Sequence, residues 1–121
     1  MKKILFAGAE AMPFAATGGL GDVLGSLPVE IQKYAGEDVD VRVIMPLYRA
    51  VSADFRAQME TVYEGTVSLS WREPYVGIRK LEHNGIVYYF VDNEQYFARP
   101  NLYGYDDDGE RFGFFSRAVI Q

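Results

Sequence analysis

The chain has 121 residues, 49% of them hydrophobic and 24% charged, with a formal net charge of −5 and no cysteine. A chain of this size buries roughly two-thirds of the surface its unfolded form exposes, enough for one domain with a real core. Nine Tyr, eight Phe and one Trp exclude intrinsic disorder, and the lack of any thiol excludes a disulfide scaffold or a cysteine zinc site. The acidic balance provides no counterion-releasing basic face, which argues against nucleic acid and anionic membrane as partners.

Lys2-Lys3 followed by Ile4-Leu5-Phe6-Ala7 imitates the start of a secretory signal, but the apolar run is short and Glu10 interrupts it. No segment approaches the ~20 apolar residues of a membrane span, so a cytoplasmic protein is expected. Residues 3–8 predict a buried strand that opens an α/β domain. Ala9 to Gly21 is too rich in turn residues for a strand and too interrupted for a helix. From about Asp22, Val23, Leu24, Leu27, Ile31 and Tyr34 recur at helical spacing until Gly36 supplies a stop. Pro28 inside that pattern implies a kink or an irregular first turn.

Val39 to Met45 reads as a second strand closed by Pro46, and strand, helix, strand makes a βαβ unit with parallel strands. A helix or helical turn is expected over 50–58. Residues 62–71, 75–82 and 86–91 are β-rich, and Asn84-Gly85 is a two-residue hairpin signal between the last two, so a β-meander joins the parallel sheet. Asp108 to Gln121 predicts a final helix with Phe112, Phe115, Val119 and Ile120 on one face and no stop signal.

The segment Thr17-Gly18-Gly19-Leu20-Gly21-Asp22 carries the strongest chemical signal. It lies between the first strand and the first helix, where backbone N–H groups and the helix dipole can hold a phosphate or carboxylate. Glycine there lets a ligand approach the backbone. A structural turn without ligand is the competing reading. A dinucleotide fingerprint fits badly, because Gly19-x-Gly21-x-x-x-Gly25 is one residue too long and no acidic residue ends the second strand. No Gly-Lys-Ser/Thr ending marks a P-loop. His83, the single histidine, precedes the Asn-Gly turn and reads as an exposed turn residue. Asp106-Asp107-Asp108-Gly109 lacks the ligand spacing of a calcium loop, and a solvated loop with Asp108 capping the last helix is favoured.

The opening ILFAGAEAMPFAATGGLGDVLGSLP, the following VDVRVIMPLY and the later VYYFVDNEQYFARPNLYGYDDDGERFGFFSRAV together resemble the N-terminus of bacterial glycogen synthases and plant starch synthases. The Gly-Gly-Leu-Gly-Asp-Val core, the preceding Glu10 and Pro13 and the Glu-Arg-Phe stretch occur in family-like order. The resemblance implies an α/β, Rossmann-like parallel sheet with a β-hairpin elaboration, the N-terminal part of a two-domain GT-B glycosyltransferase. It implies transfer of glucose from ADP-glucose to the non-reducing end of an α-1,4-glucan with retention, with no cofactor and no metal. Residues 1–121 would then form an incomplete N-terminal Rossmann-like domain, with the second nucleotide-binding domain absent and the fragment inactive alone. The family's cleft histidine would lie outside this chain.

Carried over by motif, Thr17, Gly18, Gly19 and Gly21 belong to the donor loop, where Gly18 and Gly19 approach the donor's phosphates or glucose. Asp22 would orient the helix start, and Tyr103 would sit on the sugar side of the cleft. For Asp22 a helix cap worth about 1 kcal/mol competes; for Tyr103, core packing does. One residue departs from the family pattern, Ala16 where the motif carries lysine. Loss of such a charge-assisted contact costs roughly 1.5–3 kcal/mol, about ten- to a hundredfold in affinity. A non-catalytic glucan- or nucleotide-binding module is therefore the alternative reading. An unfinished apolar face on the last helix leads to the expectation of a truncated enzyme whose exposed apolar surface self-associates.

Overall fold

The computed structural model of the chain describes residues 2–15, 18–68, 73–83, 85–99 and 102–120, apart from the side chains of Glu37 and Ile120. Five strands form one sheet in the order β1-β2-β5-β4-β3, with β1 Lys2–Ala7, β2 Val39–Pro46, β3 Glu60–Thr66, β4 Tyr75–His83 and β5 Ile86–Asp92. β1, β2 and β5 run parallel, and β4 and β3 continue the sheet antiparallel, so the meander extends one edge of the parallel unit as expected. The hairpin closes at the His83–Ile86 pair. Gly85 there has φ +78°, a left-handed conformation that glycine adopts without strain; Asn84 lies outside the described residues.

Alternation along the two central strands divides the core. Val43 pairs with Tyr88 and Met45 with Phe90, placing these four buried side chains on one face. Phe14, from the loop after β1, packs edge-on against both Tyr88 and Phe90 at ring separations of 4.7 and 5.0 Å. Helix α1 (Gly19–Ala35) crosses between β1 and β2 and lies against β2 and β5. On the opposite face helix α4 (Asp108–Ile120) brings Ala118 and Val119 beside Ile44, Val76 and Ile78.

Several elements differ from expectation. β1 is an edge strand and is not fully buried. Ile4 and Phe6 pack on the core, but Leu5 is 50% exposed, because α4 does not reach this end of the far face. An open hollow lined by Lys3, Leu5, Asp40, Arg42 and Tyr89 lies there instead. β3 ends at Thr66, five residues short of the anticipated strand end; residues 69–72 lie outside the description. Helix α1 begins at Gly19, three residues before Asp22, runs through the buried Pro28 and ends at Gly36 with φ +60°. The short helices α2 (Ala53–Gln58) and α3 (Glu94–Phe97) are capped by Ser52 and Asn93, whose side chains accept from Phe55 N–H and Tyr96 N–H; α3 was not anticipated.

The buried stripe of α4 is Arg111, Phe114, Phe115 and Ala118, spaced i, i+3, i+4, i+7. Phe112 and Val119 are half-buried at its margin and do not form its centre. Asp108 does not cap this helix. Its carboxylate accepts from Gly104 N–H at 2.8 Å and Tyr105 N–H at 3.1 Å, closing the preceding loop. His83 is no exposed turn residue either: it ends β4 with its ring 5.6 Å from Phe14 and 5.5 Å from Phe55.

Candidate functional site

The loop that follows β1, described over residues 8–15, is fastened to the fold at its start and in its middle. Gly8 N–H donates to Ile44 O at 3.1 Å, and Met12 N–H donates to Gly21 O at 3.0 Å. Ala11 and Ala15 bridge across a turn that contains a cis Met12–Pro13 peptide bond. Between them Phe14 is sunk in the aromatic cluster. The loop is thus held to β2 and α1 by backbone bonds and to the aromatic cluster by one ring.

Its polar centre is Glu10, only 2% exposed. One carboxylate oxygen, Oε1, accepts from Gly18 N–H at 3.1 Å and Gly21 N–H at 2.9 Å. The other, Oε2, accepts from the Tyr103 hydroxyl at 2.7 Å. A buried carboxylate demands such partners, and it finds them at the start of α1, where Gly21 N–H is shared with Gly18 O at 3.1 Å and the dipole favours negative charge. Burial, then the hydrogen bond to Glu10 and its charge, raise the Tyr103 phenol above the ordinary tyrosine value. The hydroxyl therefore stays protonated and acts as a donor.

The glycines around this centre have different surroundings. A Cβ on Gly25 would meet Met12 Cβ at 2.7 Å and Met12 O at 3.0 Å, and one on Gly8 would meet Leu24 Cδ1 at 2.1 Å. These two let loop and helix pack closely. A Cβ on Gly18 or Gly19 meets nothing within 4 Å among the described residues. Gly18 is extended, with φ −170°, and neither has a positive φ. Among the described residues, no packing contact and no positive φ calls for glycine at these two positions.

Of the residues expected at the site, Gly18, Gly21 and Tyr103 converge on Glu10, and Gly19 adjoins them. Tyr103 is not core packing: it is 36% exposed, with its ring 5.7 Å from Phe112. Asp22 makes no cap. The N-cap position is Gly18, and Asp22 sits exposed in the first turn, where its charge suits the helix dipole. Ala16 and Thr17 lie outside the described residues. Asp107 is bound by both terminal nitrogens of Arg99 at 2.5 and 2.8 Å, and Asp108 by Arg111 at 2.8 Å. Among the described residues no group of three His, Asp or Glu comes together to hold a metal ion.

Sequence reasoning did not assign Glu10 to the site, although a single carboxylate among Ala9, Ala11, Met12, Pro13 and Phe14 was its signal. It also missed Arg111, whose side chain is completely buried.

The model of the starch synthase catalytic domain matches residues 3–121. The chain belongs to this family. Glycogen synthase from Caldicellulosiruptor bescii is 53% identical over 119 residues, and that from Geobacillus stearothermophilus 47% identical over 119 residues. Each match takes in 98% of this chain and 24% of the relative, so the chain spans about a quarter of the synthases it resembles. The catalytic domain of Starch Synthase IV from Arabidopsis thaliana, solved with ADP and acarbose, superposes with a TM-score of 0.82 at 27% identity, covering 98% of this chain and 24% of that one. The mixed sheet described above is the N-terminal part of the GT-B fold of these synthases. No helix among the described residues is long and apolar enough to cross a membrane.

Proposed function

We propose that this chain is the donor-loop part of an ADP-glucose:α-1,4-glucan glucosyltransferase, acting with retention as the incomplete N-terminal Rossmann-like domain of a longer cytoplasmic polypeptide. The observation that carries the reading is the open pair Gly18 and Gly19 at the start of α1: no contact among the described residues calls for glycine there, and a ligand that lies against the backbone does. ADP and acarbose in the starch synthase structure and the glycogen synthase names of the relatives supply the substrate class.

In the complete enzyme the helix N-terminus favours the negative charge that grows on the departing diphosphate, while the glucan hydroxyl attacks from the same face. Glu10 fixes the loop through Gly18 and Gly21, and the protonated Tyr103 hydroxyl fixes Glu10. No metal or cofactor enters this reading. The second nucleotide-binding domain and the catalytic groups it carries belong to the remaining three quarters of such a synthase. The isolated chain therefore transfers no glucose, and measurable turnover by it contradicts the reading. Leu20, Val23 and Leu27, 42–50% exposed along one side of α1, support self-association of the isolated chain, which sedimentation velocity detects as a concentration-dependent mass.

The direct experiment replaces the matching N-terminal segment of the Geobacillus stearothermophilus synthase by residues 3–121 and follows radiolabelled glucose from ADP-glucose to maltooligosaccharide. Transfer supports the reading. A folded chimera that binds glucan or nucleotide without transfer supports instead the binding-module reading, which Ala16 favours. Ala16→Lys in the chimera is expected to tighten ADP-glucose binding by about tenfold or more; an unchanged dissociation constant by calorimetry rejects the role given to that position.

A further inference from the structure

The placement of the Gly18–Gly21 turn depends on the groups that place Glu10. Two of its partners among the described residues are in the turn itself. Another, Tyr103, lies 93 residues away, between α3 and α4. The stretch around Tyr103 is bracketed by one side chain, Arg111 of α4. Its Nη1 donates to Leu102 O at 2.9 Å and to Asp108 Oδ1 at 2.8 Å, and its Nε donates to Tyr96 O at 2.5 Å. The same Asp108 carboxylate accepts from Gly104 N–H and Tyr105 N–H. The residues on either side of Tyr103 are therefore tied to one guanidinium, directly at Leu102 and through Asp108 at Gly104.

A buried arginine is costly where packing alone is required, since an apolar residue of similar volume fills the space without desolvating a charge. Arg111 is fully buried, its guanidinium 5.7, 5.0 and 5.2 Å from the rings of Phe97, Tyr105 and Phe112. What the planar fork adds to those contacts is direction, because its donors leave at fixed angles. We infer that Arg111 is a positioning residue for the Gly18–Gly21 turn, acting through Leu102 and Asp108 on Tyr103, and through Tyr103 on Glu10. The consequence for donor binding rests on the proposed function; the geometry of the relay does not.

The test reads the relay without any ligand. Amide hydrogen exchange at Gly18 and Gly21, followed by NMR in the chain as it stands, reports the bonds to Glu10, at Gly18 directly and at Gly21 together with its shared bond to Gly18 O. Tyr103→Phe, Arg111→Lys and Asp108→Asn are each expected to speed both amides by about fivefold, the factor that one ordinary hydrogen bond represents, while the β2 and β5 amides report the accompanying change in global stability. Arg111→Lys combined with Tyr103→Phe is expected to be no faster than Tyr103→Phe alone, because both act along one path. If Arg111→Lys lowers the unfolding midpoint but leaves Gly18 and Gly21 at wild-type rates, Arg111 is a core residue only and the inference is overturned. Should Arg111→Lys fail to fold, Asp108→Asn decides in the same way, since that carboxylate lies at the surface end of the relay. A second arm measures ADP-glucose affinity in the chimera, where the same variants raise the dissociation constant in the same order. If the unmodified chimera binds no ADP-glucose, the donor reading falls while the exchange rates still decide the relay.

Discussion

Five glycines border the junction of β1 and α1, and besides Gly21, whose amide bonds Glu10, they divide into two pairs with opposite surroundings. Gly8 and Gly25 face inward, where an added methyl group would overlap Leu24 or Met12; Gly18 and Gly19 meet nothing within 4 Å among the described residues. All four belong to one short stretch of sequence, and composition gives no reason to separate them. The difference teaches that a glycine-rich loop can hold two kinds of constraint, one from the fold's own packing and one from whatever approaches the helix start.

The comparison breaks most visibly at Gly25. Gly25→Ala sets a methyl against the Cβ and carbonyl oxygen of Met12, and an overlap with backbone cannot be relieved by a rotamer change. A loss of about 1–3 kcal/mol is expected, read as a fall in melting temperature of roughly 3–8 °C for each kcal/mol. Gly8→Ala should lose less, because the clashing atom is the end of the Leu24 side chain. The open pair predicts the reverse pattern: Gly18→Ala and Gly19→Ala shift stability by no more than about 0.5 kcal/mol, yet weaken ADP-glucose binding in the chimera by about tenfold, or ~1.4 kcal/mol. A melting-temperature loss at Gly19 as large as at Gly25 would erase the distinction.

Tyr103→Phe sharpens the comparison from the other side of the site. It removes one donor from the buried Glu10 carboxylate, and a loss of about 1–3 kcal/mol is expected by chemical denaturation. The smallest effect concerns acid. Asp107 is held below the usual carboxylate range by its bonds from Arg99, and Asp108 by the Gly104 N–H and then by Arg111. A depressed folded value contributes stability that is complete above the unfolded pKa, near 4, and is lost as the pH falls through the folded value. Asp107→Asn should therefore flatten the stability profile below about pH 4 and leave its shape near neutrality unchanged.

The parallel βαβ unit and the 84–85 hairpin were legible because each rests on a local signal, alternation in one case and turn chemistry in the other. The burial of β1 was not, since an edge position depends on which elements cover the far face, and no window of sequence contains that. The stripe of α4 was misplaced by one residue because Arg111 occupies its first position, and a buried guanidinium reads as a surface residue until Phe97, Tyr105 and Phe112 are seen around it. Gly18, not Asp22, holds the N-cap position of α1 for a related reason. The helix entry is satisfied by the distant Glu10 side chain, so no local capping residue is required. At the site, the glycine loop was visible in sequence, whereas the buried carboxylate beneath it became visible only with Tyr103 folded over it.

The most direct test is a paired titration of the chimera and its Gly19→Ala variant with ADP-glucose by calorimetry, each beside its own melting curve. A glycine reserved for the donor gives unchanged melting and at least about tenfold weaker binding. Equal affinities at equal stability would contradict the assignment of the open glycine pair to the donor.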